Sequence, residues 1–333
     1  MFHALLDMHD FTFLVLPGTY ATSVAASLDM LNAACALAPR LQLAKPTWRL
    51  VSPDGGMTAL SSGLCIQTER MPTRRADYAS IWVLPGLGVD SAAELAHKLA
   101  SPTAERAAAQ LQRHGAAGGA VAASCSAVFL LQKAGLLAGR RATTSWWLAA
   151  ELSRIQPDCQ VEAGHMVVCD GSLTTAGAAF AQSDLMLNLL GQRFAPALAD
   201  AVGKVLLIDG RQAQARFVVP NLLANGHELM GRLTRYIESA LPRPPSVRAL
   251  ADAFAMSQRT LTRHVRAATG HGPLALVQSV RLNRARSLIE HSRLSIEQVA
   301  AQVGYEDATA LRRLMRQTTG ANPSAFRSGS IVQ

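Results

Sequence analysis

Two sets of residues in this 333-residue chain have the types and spacing to do chemistry. The first is a thiol. Val121-Ala122-Ala123-Ser124-Cys125-Ser126-Ala127 places Cys125 between an apolar run and a helix start. A sharp strand-to-helix turn with small neighbours is the nucleophile-elbow arrangement, in which backbone N–H groups can favour a thiolate. The second set is made of cations. Arg259, Thr262, Arg263 and Arg266, and again Thr309, Arg312, Arg313 and Arg316, recur at helical spacing. A guanidinium bonds guanine bidentately in the major groove, Thr meets a base edge or a thymine methyl, and flanking Arg binds phosphate.

The arginines sit in a pattern written twice. Ser246-Val247-x-x-Leu250-Ala251-x-x-Phe254, followed by Leu261 and Val265, returns as Ser295-Ile296-x-x-Val299-Ala300-x-x-Val303, followed by Leu311 and Met315. The offset is 49 residues in the first part of the unit and 50 in the second. Each unit reads as helix, tight turn, helix, with Ser246 and Ser257 as N-caps. Leu261, Val265, Leu311 and Met315 face inward at helical spacing and leave the arginines outward. Between the units, Pro273 to Glu290 reads as a helix about 27 Å long. Such a spacer can set two recognition helices in successive major grooves, about 34 Å apart.

Charge follows the repeat. Residues 243–333 hold 13 Arg, no Lys and 5 acids, whereas residues 1–242 hold 19 Lys+Arg against 18 acids. A basic segment on a neutral body fits a polyphosphate partner localised to one domain. The remaining composition is that of a folded chain, 49% hydrophobic and 17% charged. MFHALLDMHD lacks the basic start and apolar run of a signal peptide. Gly115 to Leu131, the longest uncharged apolar stretch, contains several Gly and Ser and reads as strand, turn and helix, not as a membrane span. Five scattered cysteines, at 35, 65, 125, 159 and 169, form no CxxC pair. They point to a reducing cytoplasm and to neither a metal site nor a cofactor.

Ahead of the repeat, apolar runs alternate with helical stretches. Phe11–Leu16, Trp48–Ser52, Ile81–Leu84 and Ala120–Ala123 read as strands, three of them closed by Pro/Gly turns. Helical patterns cover about 22–38, 91–114, from 126, from 143, 179–191 and 196–208, with short strands around 161–169 and 172–175. This is a doubly wound α/β sheet of flavodoxin-like type, mostly parallel, followed by an all-α domain with two helix-turn-helix units. The expected domains are 1–208 and 227–329, joined by a linker at 209–226.

The repeated segment resembles the AraC/XylS family of bacterial transcription regulators. Leu250-Ala251, Ser257-x-Arg259-x-Leu261-x-Arg263, Thr269-Gly270-x-x-Pro273, Arg281-Leu282-x-x-Ala285, Ile296-x-x-Val299-Ala300-x-x-Val303-Gly304-Tyr305 and Gly320-x-x-Pro323-x-x-Phe326-Arg327 carry the likeness. Val265, Leu311 and Met315 stand where Phe is common in that family. The resemblance implies that the outward residues named above contact an operator on double-stranded DNA.

The front half resembles the ThiJ/PfpI domain of the class I glutamine amidotransferase-like superfamily, through Leu84-Pro85-Gly86, Cys125-Ser126-x-x-Phe129-x-Leu131-x-x-Ala134-Gly135-Leu136-Leu137-x-Gly139-Arg140-Arg141-Ala142-Thr143 and Thr175-Ala176-Gly177. Together the two domains give the layout of GlxA-like transcription regulators. Catalytic relatives carry a His about twenty residues after the Cys; here Ser145 holds that place, in Thr143-Thr144-Ser145-Trp146-Trp147. Serine is no base near neutral pH. Pro17-Gly18-Thr19-Tyr20 offers no carboxylate, and His114 and His165 read as satisfied or surface residues.

These readings predict a regulator, not an enzyme. Tyr20, Leu87, Cys125, Ser145, Trp146, Trp147 and Gly177 lie on segments that converge at the carboxyl ends of the strands, where such sheets bind ligands. With 17 aromatics in the chain, the Trp pair favours a nitrogenous, cationic effector. The expected assembly is a homodimer on DNA, with RNA polymerase as a further partner and no membrane. Two other readings are open at this stage: a redox sensor working through a low-pKa Cys125, and a cysteine enzyme fused to a DNA-binding module.

Overall fold

The computed structural model describes residues 9–72, 79–208, 228–269 and 272–319. The chain divides into two compact units, Met1–Arg211 and Gln212–Gln333. The expected linker at 209–226 lies outside the described residues, as do Gly270, Gly320, Pro323, Phe326 and Arg327.

The first unit runs β1 (Phe11–Leu14), α1 (Ala21–Leu37), β2 (Trp48–Ser52), β3 (Gly56–Ala59), β4 (Cys65–Arg70), β5 (Ile81–Leu84), α2 (Ala92–Leu99), α3 (Pro102–Ala116), β6 (Val121–Ser124), α4 (Val128–Lys133), β7 (Arg141–Ala142), α5 (Ala149–Ile155), β8 (Gln160–Val161), β9 (Val167–Asp170), β10 (Leu173–Ala176), α6 (Gln182–Arg193) and α7 (Pro196–Val205). Eight strands form one sheet in the order β3-β4-β2-β1-β5-β6-β10-β9. β4, β2, β1, β5, β6 and β10 are parallel; β3 and β9 are antiparallel at the edges. Successive residues of a strand face opposite ways, so this sheet feeds two cores. Trp82, Leu84, Val121 and Ala123 enter the layer built by α2, α3, α4 and α5. Val83, Ala122, Phe11 and Phe13 enter the layer built by α1, α6 and α7.

The helical stretches over 91–114 are two helices, because Ser101 caps a new one with Pro102 at its first turn. The structure corrects the sequence reading in two places. No helix starts at Thr143. The Thr143 N–H donates to Thr175 Oγ1 at 2.8 Å and Thr144 Oγ1 donates to the Cys125 carbonyl at 2.7 Å, so these residues tie the turn to the sheet, and α5 starts at Ala149. The β3–β4 hairpin has no counterpart in the apolar pattern. Its inner contacts are hydroxyls, Ser52 to Thr68 at 2.7 Å and Thr58 to Thr68 at 3.1 Å.

The second unit holds α8 (Glu228–Ser239), α9 (Val247–Ala253), α10 (Gln258–Thr269), α11 (Pro273–His291), α12 (Ile296–Gln302) and α13 (Ala308–Thr319). Helices α9 and α12 differ by 49 residues at both ends, α10 and α13 by 50, as the repeat requires. The caps repeat too. Ser246 and Ser295 accept backbone N–H groups at the starts of α9 and α12, while Ser257 and Asp307 do so for α10 and α13. The turns match in backbone: Ala255 and Gly304, 49 residues apart, are both left-handed, at φ 52° and 79°. Around each, the same hydrogen bonds recur, Met256 N–H to Ala251 and Tyr305 N–H to Ala300, both at 2.9 Å.

Two cores result. Met230, Leu233, Ile237, Leu250, Leu261 and Val265 close the first with Leu276, Val277 and Val280 of α11. Val299, Val303, Leu311 and Met315 close the second with Ala285 and Ile289 of the same helix. At the second turn a Cβ on Gly304 would lie 2.1 Å from the Pro242 carbonyl oxygen. Arg281 bonds the carbonyls of Val303 and Gly304, and its guanidinium lies 3.7 Å from the Tyr305 ring centroid.

The two left-handed positions predict opposite responses to substitution. An L-residue in that conformation costs about 1–2 kcal/mol. Ala255→Gly, on an exposed turn, should leave the second unit as stable or up to about 1 kcal/mol more stable once the chain entropy of Gly is offset. Gly304→Ala adds a clash with backbone and should cost about 3 kcal/mol or more. Urea unfolding of both variants measures the difference, and equal stabilities would contradict the asymmetry.

Candidate functional site

The elbow forms where β6 ends. Cys125 has φ 55°, left-handed for a non-glycine residue, a strain of about 1–3 kcal/mol that surrounding contacts must offset. Thr144 Oγ1 holds the Cys125 carbonyl. Ser126 Oγ donates to the Leu87 carbonyl at 2.6 Å, and the Gly86 N–H donates to Ser124 Oγ at 3.1 Å. Gly86 must lack a side chain here, because its Cβ would stand 2.8 Å from that of Cys125.

Cys125 Sγ and Ser145 Oγ are 2.8 Å apart, both buried. Burial pushes the thiol above its ordinary range; the Ser145 hydroxyl, the N–H and hydroxyl of Ser126 and the Ala179 N–H pull it partly back. The result is a neutral thiol at neutral pH, contrary to the thiolate expected of an elbow. Tyr20 is close by: its N–H donates to the Gly86 carbonyl at 2.8 Å, and its phenol is pushed up by burial and then by Cys125. Thr19 pairs with Leu87 across the same opening. Tyr20, Leu87, Cys125 and Ser145 are therefore brought together. The Gly177 N–H donates to the Met166 carbonyl just before β9, two residues before the Ala179 N–H that reaches the thiol. Trp146 and Trp147 are half-buried, and Trp147 packs on the core beneath α2–α5.

Sequence reasoning missed Thr144, Ala179 and the exposed Phe180 beside it. Thr144 lay within the quoted run, whereas Ala179 acts through its backbone and leaves no side-chain signal. Neither histidine supplies a base. His114 is buried against Trp82 and bonds the Ala120 carbonyl, at the amino end of β6, the end away from Cys125. His165 is mostly solvent-exposed, with Nδ1 at 3.2 Å from Glu162.

On the second unit, Leu261, Val265, Leu311 and Met315 are fully buried, so the opposite faces of α10 and α13 look outward. Arg259, Arg263 and Arg266 are exposed and Thr262 half-exposed; with Gln258 they line a shallow groove of ≈ 570 Å³. Thr309, Arg312, Arg313 and Arg316 are exposed on α13. Arg312 is engaged: its Nη2 is 2.8 Å from Glu297 Oε1.

A sheet domain with an elbow cysteine, joined to paired helix-turn-helix units with arginine-bearing outer faces, defines a class, the DNA-binding transcriptional regulators. The comparisons agree: residues 34–192 match the DJ-1/PfpI family and residues 250–329 a helix-turn-helix domain family. The chain is a DJ-1/PfpI domain followed by an AraC-type helix-turn-helix domain, built as a transcriptional regulator. It is similar over nearly its whole length to two transcriptional regulators. Pseudomonas aeruginosa CdhR is 26% identical over 324 residues, covering 96% of this chain and 91% of the relative. Rhizobium meliloti GlxA is 29% identical over 327 residues, covering 96% of each. The transcriptional regulator ArgR of Pseudomonas aeruginosa is 27% identical over 260 residues, 74% of this chain and 78% of that one.

The raised thiol pKa predicts selective labelling. At neutral pH, iodoacetamide should modify the exposed Cys65 and Cys169 and leave Cys125 intact in the native protein. Because burial favours the protonated form, Cys125 labelling should grow only as pH rises past the range of an ordinary thiol. Mass spectrometry of the digested protein reads the outcome, and labelling of Cys125 at the rate of Cys65 would contradict it.

Proposed function

We propose that the DJ-1/PfpI domain of this regulator binds a small metabolite at the elbow without converting it, and that the bound molecule changes how α10 and α13 engage an operator on double-stranded DNA. The observation that carries the reading is the Cys125–Ser145 pair. A hydroxyl occupies hydrogen-bond reach of the sulfur, where nucleophilic catalysis needs a base. A buried, neutral thiol also weighs against the redox reading, which needs accessible thiolate. The residues left for recognition are Tyr20, Leu87, Ser145 and Gly177 around the thiol, with Trp146 and Trp147 on the adjoining segment.

On the DNA side, Arg259, Thr262, Arg263 and Arg266 of α10 and Thr309, Arg312, Arg313 and Arg316 of α13 supply the contacts. The working form is a cytoplasmic homodimer that acts on RNA polymerase at the promoter, with the two domains joined through residues 209–226. The effector is a small nitrogenous molecule, held by aromatic faces and hydroxyls.

A thermal-shift screen of amino acids, betaines, polyamines and purine breakdown products tests the ligand half. A compound at a hundred times its Kd should stabilise the native state by about 2.7 kcal/mol. The shift should shrink in Ser145→Trp, which sets a bulky side chain against Cys125. Consumption of the compound that stops in Cys125→Ser would instead establish an enzyme. For the DNA half, Arg263→Ala and Arg313→Ala should each weaken operator binding by about 1–3 kcal/mol in gel shifts at fixed salt. Unchanged binding in both would remove these residues from the interface.

A further inference from the structure

The two helix-turn-helix units share a backbone and differ in charge. Residues 246–269 carry four Arg and one Asp, a net of +3; residues 295–319 carry three Arg and three acids, a net of zero. Position by position, Glu297 stands where the first unit has Arg248 and Asp307 where it has Ser257, and Glu306 is the one residue gained in the turn. Asp307 is needed as the cap of α13, accepting the Ala310 N–H at 2.9 Å. Glu297 has another partner. It lies in the first turn of α12 and reaches across to α13, where Oε1 meets Arg312 Nη2 at 2.8 Å. Both side chains are about half exposed, 64% and 49% respectively. The residue in the first unit that corresponds to Arg312 is Thr262, which carries no charge. Arg259, Arg263 and Arg266 have no ion-pair partner among the described residues, and they surround the groove on α10.

We infer that Glu297 is a specificity-determining residue: it stands in for a DNA phosphate at Arg312, so that α13 contributes to binding only where a base edge draws the guanidinium away. This rests on the DNA-binding reading of α10 and α13. Generic DNA offers phosphates. To reach one, Arg312 must leave a carboxylate of like charge, and the freed carboxylate then faces the phosphate backbone, so the exchange gains little. A guanine edge offers a bidentate site that a single carboxylate contact does not match. The first unit, with free cations, grips any duplex; the second is held neutral until the sequence fits. Discrimination of this kind comes from raising the cost of wrong sites as much as from contacts at right ones.

Salt dependence separates the two roles, because each cation placed on a phosphate releases counterions and steepens log K against log salt by about 0.9. The probe is a mixed-sequence duplex long enough to span two turns of major groove, with full-length protein and anisotropy read across a potassium chloride series. Glu297→Gln, nearly isosteric, should bind this duplex roughly 2- to 5-fold more tightly at low salt, the equivalent of one exposed ion pair. Its salt slope should be steeper by about one unit. Arg312→Ala should abolish the gain in the Glu297→Gln background, since the freed guanidinium is what makes that gain. Thermal melting of each variant confirms that it is folded. Arg263→Ala is the control for the underlying reading, and its slope should fall by about one unit. A normal loss in Arg263→Ala with no change in Glu297→Gln overturns the role of Glu297 alone. A parent chain that fails to bind, or an Arg263→Ala variant that binds as well as the parent, overturns the DNA-binding reading and the inference with it.

Discussion

One helix belongs to two hydrophobic cores, and the placing of the two arginine-bearing faces depends on it. In α11, Leu276, Val277 and Val280 enter the first core, and Ala285 and Ile289 enter the second. At 100° per residue these two groups point about 150° apart. The helix is therefore apolar on one side in its first half and on nearly the opposite side in its second. Neither core closes without it, since each helix-turn-helix pair alone leaves one apolar face uncovered. Arg281 sits at the changeover, bonding the Val303 and Gly304 carbonyls and stacking on Tyr305. Gly304 leaves room for the Pro242 carbonyl at the same place. The relation between α10 and α13 is thus set by packing, by a guanidinium fork and by the absence of a side chain.

The elbow solves a different problem with similar means. A left-handed cysteine at the end of β6 is a strained residue, and four polar contacts with two other segments hold it: Thr144, Ser126 to Leu87, Gly86 to Ser124, and Ser145 at the sulfur. In a hydrolase such preorganisation would serve a thiolate. Here the same donors do not offset the desolvation of a fully buried sulfur, so the strained geometry is kept while the charge is not. Hydroxyls and N–H groups fixed in direction in this way would lower the ordering cost of binding at the proposed effector site.

What the sequence revealed follows from which forces leave a periodic trace. The repeat was legible because both units bury the same positions on the same helical period, and Leu261 with Val265 maps onto Leu311 with Met315. The central strands were legible because they are buried on both faces and read as continuous apolar runs. The β3–β4 hairpin was not, since Thr58 and Thr68 pair through hydroxyls and the rest of it faces solvent. The segment after Thr143 misled because Thr143 and Thr144 spend their hydrogen bonds on the sheet and the elbow, a tertiary demand that overrides local pattern. Within the elbow, the side chains Tyr20, Cys125 and Ser145 were found, but the Ala179 N–H was invisible to any reading of side-chain type. The Glu297–Arg312 pair was equally hidden, since its members are 15 residues apart on different helices.

An effector can alter DNA binding only by the difference in its affinity for two states of the chain. The ordinary size of such a coupling, about 1–3 kcal/mol, equals the worth of one arginine–base contact. A switch on this chain therefore need not dismantle the interface. Once α10 is seated, binding of α13 is intramolecular, and its contribution is set by effective concentration and so by geometry. On the proposed reading, the second helix-turn-helix has no net charge to compensate for poor placement, whereas the first would keep its electrostatic grip in any orientation that presents its arginines. The more valuable target for regulation is then the alignment of the neutral unit, which the α11 joint at Arg281, Gly304 and Tyr305 fixes. A state that tilts that joint loses sequence discrimination before it loses affinity, and the chain would slide to non-specific DNA while remaining bound.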